Sequence, residues 1–282
     1  MGLVTTFLIT GAEGLLGPYL VEEFRKHGRV VTSSRNSGDL PCDLTSPDAV
    51  RALLTEAAPT HVLHAAALTN VDRCELEPDV ADAGNRLTTA NLMAAKPSTS
   101  QLVYLSTDQV YPNTAGPHRE GTETPINVYG RSKLAGELAA AEQKSSLIVR
   151  TNLFGPSRTE GRASLSDFVA RSLGARKPIT MFRDVLFSPL HMTTLAAFLA
   201  DMVKAELTGI VNLGSRNGLS KLEFGLAVAA QLKLPIGGIS VGLSTSVATR
   251  APRPLDLRLD VERVERLLGR VMPNCIDEIT RL

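Results

Sequence analysis

Tyr129 and Lys133 stand four residues apart in Tyr129-Gly130-Arg131-Ser132-Lys133. On a helix that spacing puts both side chains on one face. A phenol can give up a proton, but its ordinary pKa near 10 is too high for easy transfer at neutral pH. An ammonium group one turn away would lower it. The same spacing also arises in plain amphipathic helices, so a second feature has to support it. Ser106-Thr107-Asp108 does so. It follows an apolar β-type run, at the strand end where a doubly wound sheet carries its chemistry. Thr107 can there hydrogen-bond a substrate oxygen beside Tyr129. Thr107, Tyr129 and Lys133 are the candidate catalytic residues.

A third feature is Thr10-Gly11-Ala12-Glu13-Gly14-Leu15-Leu16-Gly17, between a strand and a helix. Gly11 permits a tight turn, Gly14 lets the backbone approach a pyrophosphate, and Gly17 allows close helix packing. Phosphates would sit on N–H groups at the positive helix end. Contacts are expected from Gly11, Glu13, Gly14, Leu15, Leu16 and Gly17. The spacing is G-x-x-G-x-x-G rather than G-x-G-x-x-G, so the strand–loop–helix context carries part of the inference. The second strand ends Ser33-Ser34-Arg35-Asn36, without the acid that would bind a ribose 2′-hydroxyl. Arg35 can pair with a 2′-phosphate and Ser34 can add a hydrogen bond, which favours NADP over NAD, with NAD as the alternative. Asp43 and Leu44 lie where adenine contacts form, although Asp43 can equally fix a turn. Ala65, Ala66 and Ala67 offer small side chains where a cofactor lies close to the backbone. A bound nicotinamide would also help to lower the Tyr129 pKa, and Lys133 can hold its ribose.

The elements that must position these residues alternate. Strands are expected at Thr5 to Thr10, Arg29 to Ser33, His61 to His64, Leu102 to Ser106 and Leu147 to Arg150. Helices are expected at Leu15 to His27, from Ser46-Pro47-Asp48, at Asp82 to Met93 and at Val128 to Gln143. Such alternation implies a parallel sheet covered on both faces. The fold class is α/β: a Rossmann-type doubly wound parallel sheet with a small C-terminal α/β substrate lobe. Residues 1–150 form the dinucleotide-binding unit. Residues 151–282 form mainly the substrate lobe, with some segments returning to the core. Within them helices are expected at Ser164 to Leu173, Thr193 to Lys204, Lys221 to Leu232 and Val261 to Leu268, and strands near Ile179 to Phe182 and Ile210 to Leu213.

Composition narrows the function classes. The 282 residues carry 30 Lys+Arg against 29 Asp+Glu, so no basic face for nucleic acid is indicated. Trp is absent and aromatics are 4%, which argues against a stacking platform for single strands. Cys42, Cys74 and Cys275 are too scattered for a disulfide framework or zinc site, which suits a cytoplasmic protein. No run reaches about 18 apolar residues, so no membrane span is expected. No Lys or Arg precedes Arg25, against a secretory signal. Met1 to Thr6 matches a myristoylation pattern but runs straight into the first strand and glycine loop. No metal site is expected. His61 and His64 point to opposite faces of a strand, and Asp72 to Asp79 reads as a solvated loop. His191 is more plausibly a loop bystander than a pocket residue.

Taken together these blocks resemble the extended short-chain dehydrogenase/reductase superfamily, and within it the dTDP-4-dehydrorhamnose reductase family. The similarity includes Ser106 to Tyr111, Ala65 to Glu75 followed by Glu77-Pro78, Pro125 to Gly130, Lys133 to Glu137, and Arg253 to Asp260. It spans nearly the whole chain. The resemblance implies NADPH-dependent reduction of the C4 ketone of a nucleotide-linked 4-keto-6-deoxysugar. Tyr129 would supply the proton, Lys133 would tune it and Thr107 would position the ketone. Substrate contacts are implied for Thr107, Asp108, Asn152, Leu153 and Arg253, with Arg250 or Arg258 as alternatives for the diphosphate. Asn85 matches a structural Asn, either as a helix–backbone contact or as a relay. A homodimer is compatible with the resemblance. Three positions depart from the family pattern. Gln109 replaces the Glu of related 4,6-dehydratases and cannot be a general base, which disfavours dehydration. Leu153 stands where the family has Trp, and Leu257 where it has Ser. Two other readings use the same scaffold: a nucleotide-sugar epimerase, and a cofactor-binding regulatory subunit resembling the methionine adenosyltransferase β-subunit.

Overall fold

A computed structural model describes residues 5–247 and 251–282. The first four residues of the myristoylation-type pattern, and Arg250, lie outside that set. Five strands build the first part of the sheet: β1 (Thr6–Thr10), β2 (Arg29–Ser33), β3 (His61–His64), β4 (Gln101–Thr107) and β5 (Leu147–Thr151). Two short strands follow, β6 (Leu153–Phe154) and β7 (Ile179–Phe182), then β8 (Leu186–Phe187), β9 (Leu190–His191) and β10 (Gly209–Leu213). The last three are β11 (Leu219–Ser220), β12 (Ile239–Gly242) and β13 (Asp256–Leu257). The main sheet has the order β10-β5-β4-β3-β1-β2, and all of its pairings are parallel. The chain steps from β1 outward to β2 and then back across to β3. The strand order therefore reverses between β1 and β3, and ligands of such sheets bind outside the carboxyl ends at that point.

Parallel pairing follows from the helical crossovers α1 (Gly17–Phe24), α2 (Pro47–Ala57), α3 (Val71–Leu76), α4 (Pro78–Asp82) and α5 (Thr88–Ala95). Between α4 and α5 the helix widens into a π turn at Ala83–Leu87. The crossover after β4 carries α6 (Val128–Ala141). The later helices are α7 (Leu165–Gly174), α8 (Met192–Lys204), α9 (Lys221–Gln231), α10 (Glu262–Leu268) and α11 (Cys275–Ile279). Local chemistry sets several starts. The Ser46 side chain accepts the Ala49 N–H at the head of α2. Ser164 with Asp167, and Ser220 with Glu223, form capping boxes.

Period-2 alternation divides the core. Phe7 and Ile9 face Leu20 and Phe24 of α1 and Leu195, Leu199 and Met202 of α8. Leu8 faces the other way, with Leu53 and Leu54 of α2, Leu92 of α5 and Tyr104. A third cluster fills the C-terminal part, with Phe154, Val169, Met181, Phe187, Phe224 and Leu257. β10 pairs with β5 and α8 packs on α1, so later segments complete the first core. No helix among the described residues is long and apolar enough to cross a membrane.

One expectation needs correction. Asp72 to Asp79 is not a solvated loop but largely α3 and the start of α4. Asp72 pairs with Arg253, and the Glu75 carboxylate accepts the Val128 N–H at 2.9 Å. Glu75 thus holds the start of α6 and Asp72 the segment at Arg253, long-range contacts that a local reading of charge cannot foresee, while Glu77 pairs locally with Arg73.

Candidate active site

β4 delivers Thr107 at its carboxyl end, and the chain turns at once into a single 3₁₀ turn, Asp108–Val110. α6 meets that turn end-on. The Asn127 side-chain oxygen Oδ1 accepts the Gly130 N–H at 2.7 Å and caps the helix. Its amide donates to the Gln109 side-chain oxygen at 3.0 Å and to the Pro252 carbonyl at 2.9 Å. A Cβ on Gly130 would lie 2.2 Å from the Gln109 carbonyl oxygen, so only glycine lets α6 come this near. This contact brings the Tyr129 phenol beside the Thr107 hydroxyl. Burial pushes the Tyr129 phenol above its ordinary value, and the neighbouring Thr107 hydroxyl opposes that shift.

Lys133 lies on the same face, and its ammonium is engaged on the strand below. Its Nζ donates to the Leu105 carbonyl at 2.7 Å and sits 4.1 Å from the centre of the Tyr104 ring. Burial pushes its pKa down to about 7, with Glu137 pulling upward. Thr107, not Lys133, is the group that lowers the Tyr129 pKa in this arrangement. Asp108 is buried against the same group. Its carboxylate accepts from Thr107 Oγ1 at 3.2 Å and from Asn152 Nδ2 at 2.5 Å. Desolvation raises its pKa to about 6.

Behind these residues lies a buried ionic network that the sequence reading missed. Arg150 of β5 is fully buried and grips Glu137 of α6, with Nη2 to Oε2 at 2.6 Å and Nε to Oε1 at 3.0 Å. Its Nη1 reaches Tyr111 and Glu123, each at 3.0 Å. The Ser106 hydroxyl donates to Glu137. Glu137 thus ties the helix of Tyr129 and Lys133 to the strand end of Thr107. The available signal was a Glu one turn beyond Lys133, together with an Arg directly after the apolar run Leu147 to Val149.

The glycine loop occupies the reversal point. Gly11 has φ +71°, and a Cβ there would lie 2.6 Å from the Ala66 nitrogen. The loops after β1 and β3 therefore touch, which brings Ala65, Ala66 and Ala67 beside Gly11. The first turn of α1, opened by Leu16 and Gly17, has no side-chain cap and no acidic residue. Within that turn Pro18 has no N–H and the Tyr19 and Leu20 N–H groups are taken by the Leu16 carbonyl, so a diphosphate at this helix end would be met by the N–H groups just ahead of them. The Glu13 N–H donates to Ser34 Oγ at 3.2 Å, and Arg35 is exposed nearby. Asp43 accepts the Thr45 N–H and hydroxyl, the turn-fixing alternative, and the Arg35 charge helps hold its pKa low. Leu44 is buried, and its carbonyl accepts from Asn91. Across the loop, Thr159 donates to the Gly14 carbonyl at 3.3 Å, and Leu15 packs on the core.

Other candidates fall apart from the centre or are already engaged. Leu153 is half-buried in β6, next to Asn152. Arg253 is held by Asp72 at 2.9 and 3.0 Å, and Arg258 by Asp256 at 2.6 and 2.9 Å. Asn85 clamps both the N–H and carbonyl of Leu68 and donates to Ser132 at 2.8 Å, which is the backbone role. His64 pairs with Thr10 at 2.7 Å. His191 is buried, and its Nδ1 accepts the Thr193 N–H to cap α8.

A parallel sheet reversing beside a glycine loop, with Thr107 and Tyr129 in contact and Lys133 one turn on, defines a Rossmann-type oxidoreductase of the short-chain dehydrogenase kind. The family model for the RmlD substrate binding domain matches residues 5–282, and the chain belongs to that family. It is 32% identical to the probable low-salt glycan biosynthesis reductase Agl14 of Haloferax volcanii, over 97% of this chain and 96% of that protein. It is also 26% identical to the methionine adenosyltransferase 2 subunit beta of Xenopus laevis, over 92% of this chain and 81% of the relative. The crystal structure of dTDP-4-dehydrorhamnose reductase from Bacillus anthracis in complex with NADP superposes with a TM-score of 0.90 at 26% identity. That match covers 99% of this chain and 98% of that one.

Proposed function

We propose that this chain is an NADPH-dependent reductase of a nucleotide-linked 4-keto-6-deoxysugar, acting in the cytoplasm. The observation that carries the reading is the meeting of the Thr107 and Tyr129 hydroxyls at the end of β4, one strand away from the Gly11–Ala66 contact. Thr107 orients the ketone oxygen, and Tyr129 gives it a proton. When bound, NADPH supplies the hydride for the ketone carbon, so the ketone becomes a secondary alcohol. Gly11, Glu13, Gly14, Leu15, Leu16 and Gly17 line the diphosphate position. Ser34 and Arg35 take the 2′-phosphate, with Asp43 and Leu44 toward the adenine. Ala65, Ala66 and Ala67 border the crevice, and Lys133 holds the nicotinamide ribose. Residues 1–150 carry the cofactor, and 151–282 mainly the sugar, through Asn152, Leu153 and Arg253 alongside Asp108. The assembly we favour is a homodimer.

The test mixes purified protein with dTDP-4-keto-6-deoxyhexoses and NADPH, and follows absorbance together with the sugar product. Stoichiometric oxidation is the expected result. Isomerisation without net oxidation would identify an epimerase instead. Tight NADPH binding with no turnover on any ketosugar would favour a regulatory subunit like the methionine adenosyltransferase relatives.

A further inference from the structure

Asp108 sits between two hydrogen-bonding side chains and away from solvent, at 1% exposure. Asn152 Nδ2 holds one carboxylate oxygen and Thr107 Oγ1 the other. Thr107 Oγ1 also accepts the Gln109 N–H at 3.2 Å and touches Tyr129. A hydroxyl has one proton. While Asp108 is ionised, it takes the Thr107 proton, which leaves that hydroxyl none to give a ketone oxygen.

We propose that Asp108 is a positioning residue that sets the direction of the Thr107 hydroxyl by its own protonation. It rests on the reading of Thr107 and Tyr129 as the pair that handles the ketone oxygen. The protonated carboxyl donates to Thr107, so the Thr107 proton is free to point at the ketone oxygen that Tyr129 protonates. The groups acting on the carboxyl are Lys221 at the start of α9, whose charge favours the ionised form, Asn152 after β5, Thr107 on β4 and the backbone of its own turn. Asp108 in turn raises the Tyr129 pKa. Desolvation outweighs the ionising influences and lifts Asp108 to about 6, so both states are populated near neutrality.

The Asp108→Asn variant mimics the protonated state. Asn152 Nδ2 would keep its acceptor in the amide oxygen, which leaves the amide NH₂ facing Thr107. In the wild type, kcat/KM for the ketosugar should fall about tenfold as pH rises from 5 to 8, with a midpoint near 6. Asp108→Asn should be flat over that range and faster than wild type at pH 8. Asn152→Ala removes a donor to the carboxylate and should move the midpoint upward. Infrared titration should show a carboxylic-acid band with the same midpoint, absent in Asp108→Asn. A variant slower than wild type at every pH, an unmoved Asn152→Ala midpoint, or no acid band at pH 5 would overturn the proposal. The infrared titration needs no turnover. Wild-type protein inactive on every ketosugar would refute the proposed reaction, and the infrared titration would still decide the state of Asp108.

Discussion

The cofactor crevice and the Thr107–Asn152 side of the site work by different means. The crevice relies on backbone: Gly11 against Ala66, an uncapped α1 first turn, and three alanines. Few side chains are needed, and all come from within about one crossover of β1 and β3. The catalytic side relies on buried polar side chains drawn from β4, β5, α6 and the turn after β4, joined by Asn127, Glu137 and Arg150. A backbone site tolerates change in most side chains around it. A buried polar site fails when one partner is lost, because the other is left unsatisfied.

That contrast can be broken at four points. Tyr129→Phe should reduce kcat by about a thousandfold, while the NADPH dissociation constant measured by fluorescence stays close to wild type. Comparable losses in both would merge the two regions. Arg150→Met strands Glu137 in the interior and should cost about 3–5 kcal/mol in urea unfolding. The double variant with Glu137→Met should recover much of it, and no recovery would mean the pair is not the coupling. Arg35→Asp should lower the NADPH-to-NADH preference by about tenfold, roughly one charge-assisted hydrogen bond. An unchanged ratio would remove Arg35 from the 2′-phosphate. Leu153→Trp should shift the ketosugar KM by a few-fold, on the scale of about 1 kcal/mol for an aromatic contact, with cofactor affinity untouched. An effect on cofactor affinity alone would place Leu153 on the other side of the boundary.

Much of the fold was legible in the sequence because its signals are local. Arg29–Ser33, His61–His64 and Ile179–Phe182 are the strands expected, and Ser46 and Ser164 cap the helices expected to begin with them. The Tyr129/Lys133 face and the position of Thr107 followed from helical period and strand end. The contact of Lys133 with the Leu105 carbonyl did not follow, because that partner is distant in sequence and invisible to spacing. The acidic stretch at Asp72 misled for the same reason, since its partners are Val128 and Arg253.

The sequence by itself determined the alternating elements, the glycine loop and the residue types able to move a proton. Each depends on propensity or on contacts within a few residues. Only the tertiary structure decided which polar groups face one another: Asp108 with Thr107 and Asn152, Glu137 with Arg150, Arg253 with Asp72. Those pairings arise where β4, β5 and α6 pack out of water. There an unpaired polar group is costly, so the packing itself selects the partner.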